Sequence, residues 1–163
     1  MNRSNLEADV AAHPFFIGLS EHHIKLLADC AMKTHFAAGE SIFCEGETAN
    51  RFYIIEQGEV VLESTSGGGG PTVIDTLHSG DLLGWSWLFP PFIWHFGARA
   101  AKPTSAIFFY GTILREYCDQ DHTLGYELFK RMSAIMTSRL QSARTRLLAS
   151  YSGAAKVRTE KIQ

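Results

Sequence analysis

The feature that most constrains this chain is a change of hydrophobic period near Met32 and again after Tyr110. Between those points lie short β-rich runs punctuated by glycine. Thr34–Phe36 precedes Gly39, Ser41–Cys44 precedes Gly46, and Arg51–Ile55 precedes Gln57-Gly58, with Glu59–Glu63 directly after it. Thr72–Leu77, Trp94–Ala101 and Ser105–Tyr110 complete the set. Short strands with regular turn signals predict an antiparallel sandwich, jelly roll or barrel. Gly58 suits a hairpin position that needs positive φ. Ser66–Pro71, with four consecutive glycines, reads as a floppy hairpin tip. It is not a phosphate loop, because no Gly-Lys-Ser/Thr follows and no helix opens after it.

Both flanks read as helical. Ser20 is a good N-cap for a helix through Ile24, Leu27 and Cys30, and Pro14 separates it from a shorter helix over about Ser4–Ala12. After the β region, Thr112–Cys118 predicts a short helix and His122–Tyr151 a long one. On the long helix Phe129, Met132, Met136, Leu140, Ala143, Leu147 and Tyr151 recur at threes and fours as one apolar seam. About 30 helical residues extend about 45 Å, more than a domain this small can cover. An identical helix is the commonest partner, so the seam predicts a homodimer. The expected organisation is α+β: one domain over residues 1–151, with an antiparallel β-roll (a double-stranded β-helix or jelly roll) over about 32–110. C-terminal helices follow over about 112–151, and then a flexible basic tail over 152–163.

Composition narrows the function. Of 163 residues, 45% are hydrophobic and 20% charged, which is globular rather than disordered. No apolar run approaches a membrane span and the first residues lack a signal-peptide core, so a cytoplasmic protein is expected. The three cysteines, Cys30, Cys44 and Cys118, form no CxxC pair, which argues against a disulfide framework or structural zinc. Residues 1–136 carry nine Lys/Arg and sixteen Asp/Glu, a balance of −7, and residues 137–163 carry six and one, a balance of +5. The basic end reads as a solvated face, with an acidic partner or nucleic acid as the alternative. Residues 152–163 are too few for a recognition helix with a supporting core, so sequence-specific DNA binding is not expected.

Catalytic and metal chemistry find little support. Ser86 in Gly84-Trp85-Ser86-Trp87-Leu88 lacks the second glycine of a nucleophile elbow. No His-x-His occurs among the seven histidines, and three cysteines are too few for an iron–sulfur cluster. Haem through His95 or Cys44 stays open on ligand type alone. No enzyme activity, metal or cofactor is expected.

The order of elements and several motifs resemble the cyclic-nucleotide-binding domain of the CRP/FNR superfamily. Phe36-x-x-Gly39-Glu40-x-Ile42-x-x-x-Gly46 looks like the family's first β-turn-β. Phe52-Tyr53-Ile54-Ile55-x-x-Gly58-Glu59-Val60 looks like its most recognisable hairpin, and Leu77-x-x-Gly80-Asp81-x-x-Gly84 like its approach to the ligand. Arg131-Met132-Ser133-Ala134-x-Met136 and Arg139-Leu140-Gln141 resemble the dimer helix of the catabolite activator protein. The resemblance runs from about His13 to Tyr151 and implies a regulatory domain that binds a cyclic nucleotide.

The departures fall where that ligand would sit. The family's Gly-Glu pair holds the ribose hydroxyl, and a later Arg neutralises the phosphate with help from backbone N–H groups. Here Trp85 stands in place of the Glu, Trp87 in place of a small residue, and His95 in place of the Arg. An indole cannot accept a hydrogen bond, and a histidine offers at most two donors against the five of a guanidinium. Pro90 and Pro91 lack an N–H. Candidate ligand residues are therefore Gly84, Trp85, Ser86, Trp87, Leu88, His95, Phe96, Arg99, Ala143 and Arg144. Arg99 is expected on the same strand face as His95, and Arg144 lies where relatives contact the base; the commoner roles for the two are an internal ion pair for Arg99 and a solvent-facing flank of the seam for Arg144. The aromatic cluster of Trp85, Trp87, Phe89, Phe92, Trp94 and Phe96 reads as a plug in the nucleotide pocket. Its alternatives are the lining of a pocket for a flat ligand and a partner-protein surface. The expectation is a stand-alone regulatory domain that does not hold cAMP in the usual way. The alternative is a sensor of a nucleotide-like effector through Trp85, His95, Arg99 and Arg144.

Overall fold

Ser20 starts its helix by accepting a hydrogen bond from the His23 N–H at 3.2 Å, and α2 follows over Glu21–Asp29. Before it, α1 spans Arg3–Ala12 and Pro14 opens a single 3-10 turn, Pro14–Phe16. The computed structural model describes residues 3–65 and 68–160. Ser66 and Gly67, in the expected glycine-rich tip, lie outside the described residues.

Eight strands follow: β1 Ala31–Phe36, β2 Ser41–Phe43, β3 Arg51–Gln57, β4 Glu59–Ser64, β5 Thr72–His78, β6 Leu82–Leu83, β7 Gly97–Ala100 and β8 Thr104–Tyr110. They form two antiparallel sheets, ordered β1-β8-β3-β6 and β2-β7-β4-β5. With α1 and α2 before them, α3 (Gly111–Gln120) and α4 (His122–Glu160) after them, this is the expected α+β β-roll.

Alternation along β3 defines two apolar layers. Tyr53 and Ile55 point into the roll, where they join Phe43, Val60, Leu62, Leu77, Leu83 and Phe108. Phe52 points the other way and stacks on Phe109 at 4.5 Å, with Phe16 of the 3-10 turn 5.4 Å from Phe109. The β3–β4 hairpin turns at Gly58, whose φ is 103°. A Cβ there would lie 2.5 Å from the Thr104 hydroxyl and 2.6 Å from the Pro103 carbonyl oxygen, so glycine is required on both counts.

Two strand boundaries differ from expectation. β6 is only two residues long, too short to show a period, and pairs Leu83 with Tyr53. The strand expected from Trp94 begins at Gly97 instead. Two prolines without N–H groups and Phe92 at φ 56° keep the preceding segment off the ladder.

The chain divides into two compact units, Met1–Gly125 and Tyr126–Gln163. At the start of α4, Asp121 caps the helix by accepting from the Thr123 and Leu124 N–H groups at 3.0 and 3.2 Å. Asp121 also takes a 2.9 Å hydrogen bond from His23, and that bond first, with the cap, holds its carboxyl below the usual range. In the second unit Leu128 and Met132 are fully buried, whereas Phe129, Leu140, Leu147 and Tyr151 are 49–70% exposed. Met132, expected in the seam facing a second copy, is thus buried rather than exposed. Met136 is half-buried and Ala143 exposed. The helix continues past Tyr151 to Glu160, through Ala154 and Ala155, which favour helix. Residues 161–163 of the expected tail lie outside the described residues.

Candidate functional site

Gly84 follows β6 with φ 88°, and a Cβ placed on it would meet the Trp94 ring at 2.7 and 2.8 Å and the Arg51 carbonyl oxygen at 3.7 Å. The Trp94 indole therefore lies directly on the Gly84 backbone. It is 3% exposed and stacks on Phe43 of β2 with 3.7 Å between centroids and 9° between planes. Its backbone is pinned as well. The Trp94 N–H donates to the Glu47 carbonyl at 2.9 Å, and the Gly46 N–H to the Trp94 carbonyl at 2.8 Å. Trp94 is inside the roll.

Trp87 is not. It sits in a 3-10 turn, Ser86–Leu88, is fully buried, and stacks on Phe52 at 5.3 Å. Phe52 faces away from the roll interior, so the indole expected to fill the pocket belongs to the outer layer. The reason is alternation on β3, which puts Phe52 and Tyr53 on opposite faces. Trp85 is half-buried and packs edge-to-face on Phe96 at 6.1 Å. Leu88 is half-buried, and Phe96 packs against the roll core. Ser86 is buried at 4% exposure.

Arg99 takes the internal ion pair and Arg144 the exposed position that are commonest for such arginines, whereas His95 is placed differently. His95 is exposed and precedes β7, so it does not share a strand face with Arg99. Arg99 donates from Nε to Glu63 Oε1 at 3.1 Å and pairs with the same oxygen through its terminal nitrogen. That hydrogen bond, then the Glu63 charge, raises its pKa above the ordinary value. Ala143 and Arg144 belong to the second unit, where both are exposed on α4.

Two arginines that the sequence reading did not place in the site hold the region. Arg115 of α3 donates to the Trp87 carbonyl and lies 4.3 Å over the Phe92 ring, bracing both ends of the segment between them. Arg51 of β3 lies on the inward face with Tyr53 and Ile55, its guanidinium 4.7 Å from the Phe108 ring and 5.5 Å from that of Tyr110. Burial raises the Tyr53 phenol, and the Arg51 charge and hydrogen bond oppose that rise. Alternation from Tyr53 was the signal that could have placed Arg51 inside.

Two of the thiols, Cys30 and Cys118, offer no ready ligand, whereas Cys44 is exposed. Burial pushes Cys30 up to about 12 and Cys118 to about 11, keeping both protonated. Among the described residues no group of three or more metal-binding side chains converges, and no helix is long and apolar enough to cross a membrane.

A family model described as the cyclic nucleotide-binding domain matches residues 33–121. No curated protein matches the chain. Among solved structures, the chain is similar to a Geobacter metallireducens protein described as cyclic nucleotide-binding, at 26% identity and TM-score 0.73, covering 86% of this chain and 98% of that one. A cyclic nucleotide-binding domain of Methylobacillus flagellatus gives 17% identity and TM-score 0.75, covering 91% and 83%. The sensor domain of the Pseudomonas aeruginosa transcriptional regulator DNR gives 16% identity and TM-score 0.69, covering 85% and 93%.

Proposed function

The chain belongs to the cyclic nucleotide-binding domain family, and on that premise we propose that it is a regulatory domain whose ligand cassette, residues 84–96 by resemblance, does not hold cAMP in the family's usual way. The observation that supports this is Trp94. Its indole lies on Gly84, the glycine that by resemblance sits beside the ribose, and an incoming nucleotide would have to displace a ring stacked on Phe43. The polar groups point the same way. Trp85 offers no acceptor to a ribose hydroxyl, His95 is exposed ahead of β7, and Arg99 is engaged by Glu63. A hydrogen bond to a charged group contributes about 1.5–3 kcal/mol. Loss of both the ribose acceptor and the phosphate fork therefore lowers affinity by roughly two to four decades.

Calorimetric titration of the full chain with cAMP and cGMP is expected to show no saturable binding at micromolar concentration. Saturable micromolar binding of either would overturn the reading. Effector binding through Trp85, His95, Arg99 and Arg144 is disfavoured because Arg99 is already paired. We assign no catalytic role, since Ser86 is buried and Leu88 stands where a nucleophile elbow needs glycine. Two copies are proposed to associate through Phe129, Leu140, Leu147 and Tyr151 of α4, whose exposure as large apolar side chains calls for a cover. A monomer mass by light scattering at tens of micromolar would end that part of the proposal.

A further inference from the structure

The β-roll between Met32 and Tyr110 contains four cations: Lys33, Arg51, Arg99 and Lys102. Three are matched to acids. Lys33 pairs with Asp9 at 2.6 Å and Glu56 at 3.0 Å, Arg99 with Glu63, and Lys102 with Glu59 at 2.9 Å. Arg51 pairs with no carboxylate among the described residues, and its Nε is buried without a hydrogen-bond partner. Yet it is the cation that faces the roll interior, opposite Tyr110 of β8 and two residue pairs from Tyr53 and Phe108. A half-buried guanidinium with an unsatisfied N–H is unfavourable in the free protein, because water is withdrawn and nothing replaces it.

The surroundings define what would satisfy it. The Phe108 ring covers the guanidinium and the Tyr110 ring flanks it, with Tyr53 on the same face of β3. Arg51 as a whole is half-buried, and its planar guanidinium has the donor geometry that carboxylates and phosphates match. Met32, opposite Phe108 on β1, is 50% exposed and accepts the Tyr110 hydroxyl at its sulfur at 3.7 Å. The Arg51 carbonyl adjoins Gly84, so this position sits beside the cassette without using the cassette's own side chains.

We propose that Arg51, walled by Tyr53, Phe108 and Tyr110 on the inner face of the roll, binds a small organic anion through its carboxylate or phosphate, with the anion's apolar body against the rings. This rests on the reading of the chain as a regulatory domain that does not hold a cyclic nucleotide through its cassette, and it names the class of effector that replaces one. The charge that the family supplies from the cassette is supplied here from β3.

The probes are benzoate and phenyl phosphate, which distinguish the two anion types, with benzyl alcohol as the neutral control. Thermal melts and calorimetry use the full chain. At least one anion is expected to bind saturably and raise the melting temperature, with benzyl alcohol at least tenfold weaker. Arg51→Met should weaken that binding at least tenfold while melting no lower than wild type, since it removes an unpaired charge. A purely structural arginine would give the reverse, a lower melting point and unchanged ligand response. Arg51→Lys keeps the charge but loses the planar fork, and intermediate binding is expected. It serves as the folded reference if Arg51→Met does not fold. Silence of both anions overturns the inference, as does binding that survives in the variants or is matched by benzyl alcohol. A parallel cAMP titration separates the two failures. Silent anions with silent cAMP overturn this inference alone, whereas micromolar cAMP binding that persists in Arg51→Met overturns the cassette reading and this inference together.

Discussion

The β3–β4 hairpin and the segment from Gly84 to Phe96 use the same device for opposite ends. Each has a glycine at positive φ, 103° at Gly58 and 88° at Gly84, with no room for a Cβ. At Gly58 the obstruction includes backbone, the Pro103 carbonyl and the Thr104 Cα, so the glycine closes a turn against a part that cannot yield. At Gly84 the nearest obstruction is the outer edge of one side chain, the Trp94 ring, so the glycine admits an indole. The hairpin is scaffold. The segment after Gly84 is a place where an aromatic side chain packs directly on that scaffold. A family can therefore be legible from its glycines while its ligand is not, because the glycines report backbone geometry and the ligand is read by side chains.

Three substitutions test that contrast. Gly58→Ala has the largest expected effect, about 3 kcal/mol of lost stability, combining a left-handed backbone cost of about 1–2 kcal/mol with overlap against a fixed carbonyl. Urea unfolding measures it, and a loss under about 1 kcal/mol would mean the turn can move. Gly84→Ala carries the same backbone cost but meets a ring that can tilt, so about 1–2 kcal/mol is expected, with a shift in tryptophan emission as Trp94 leaves Phe43. A loss equal to that of Gly58→Ala, with unchanged emission, would make Trp94 as immovable as the hairpin and erase the distinction. Arg115→Ala is the mildest. It removes a hydrogen bond to the Trp87 carbonyl and the cover over Phe92, about 1 kcal/mol in all. Faster amide exchange confined to residues 87–96 is its signature, and exchange unchanged there would show that the segment holds itself.

Much of the fold was visible before any coordinates. The order of helices and strands, the Ser20 cap, the turn at Gly58 and the break at Pro14 follow from local rules, because each depends on a few neighbouring residues and their backbone preferences. The cassette was visible as an anomaly, with aromatic residues where acceptors and a cation were expected. Which indole enters the roll was not. Trp87 and Trp94 flank a segment with no regular period, and without a period a sequence does not say which face a side chain takes.

The division is sharpest among the arginines. Arg51, Arg99 and Arg115 look alike in the sequence, three basic residues near strands or helix starts. Local pattern determined the β3 strand, and with it the alternation that turns Arg51 inward beside Tyr53. Only tertiary structure decided what each then met. Arg99 reaches Glu63 across the pairing of β7 with β4. Arg115 reaches the Trp87 carbonyl from α3, and Arg51 reaches aromatic faces and no acid. Hydrophobic period and turn chemistry act over a few residues, so the chain carries them on its surface. Charge pairing depends on which strands become neighbours and in what register, and that is set only when the two sheets close.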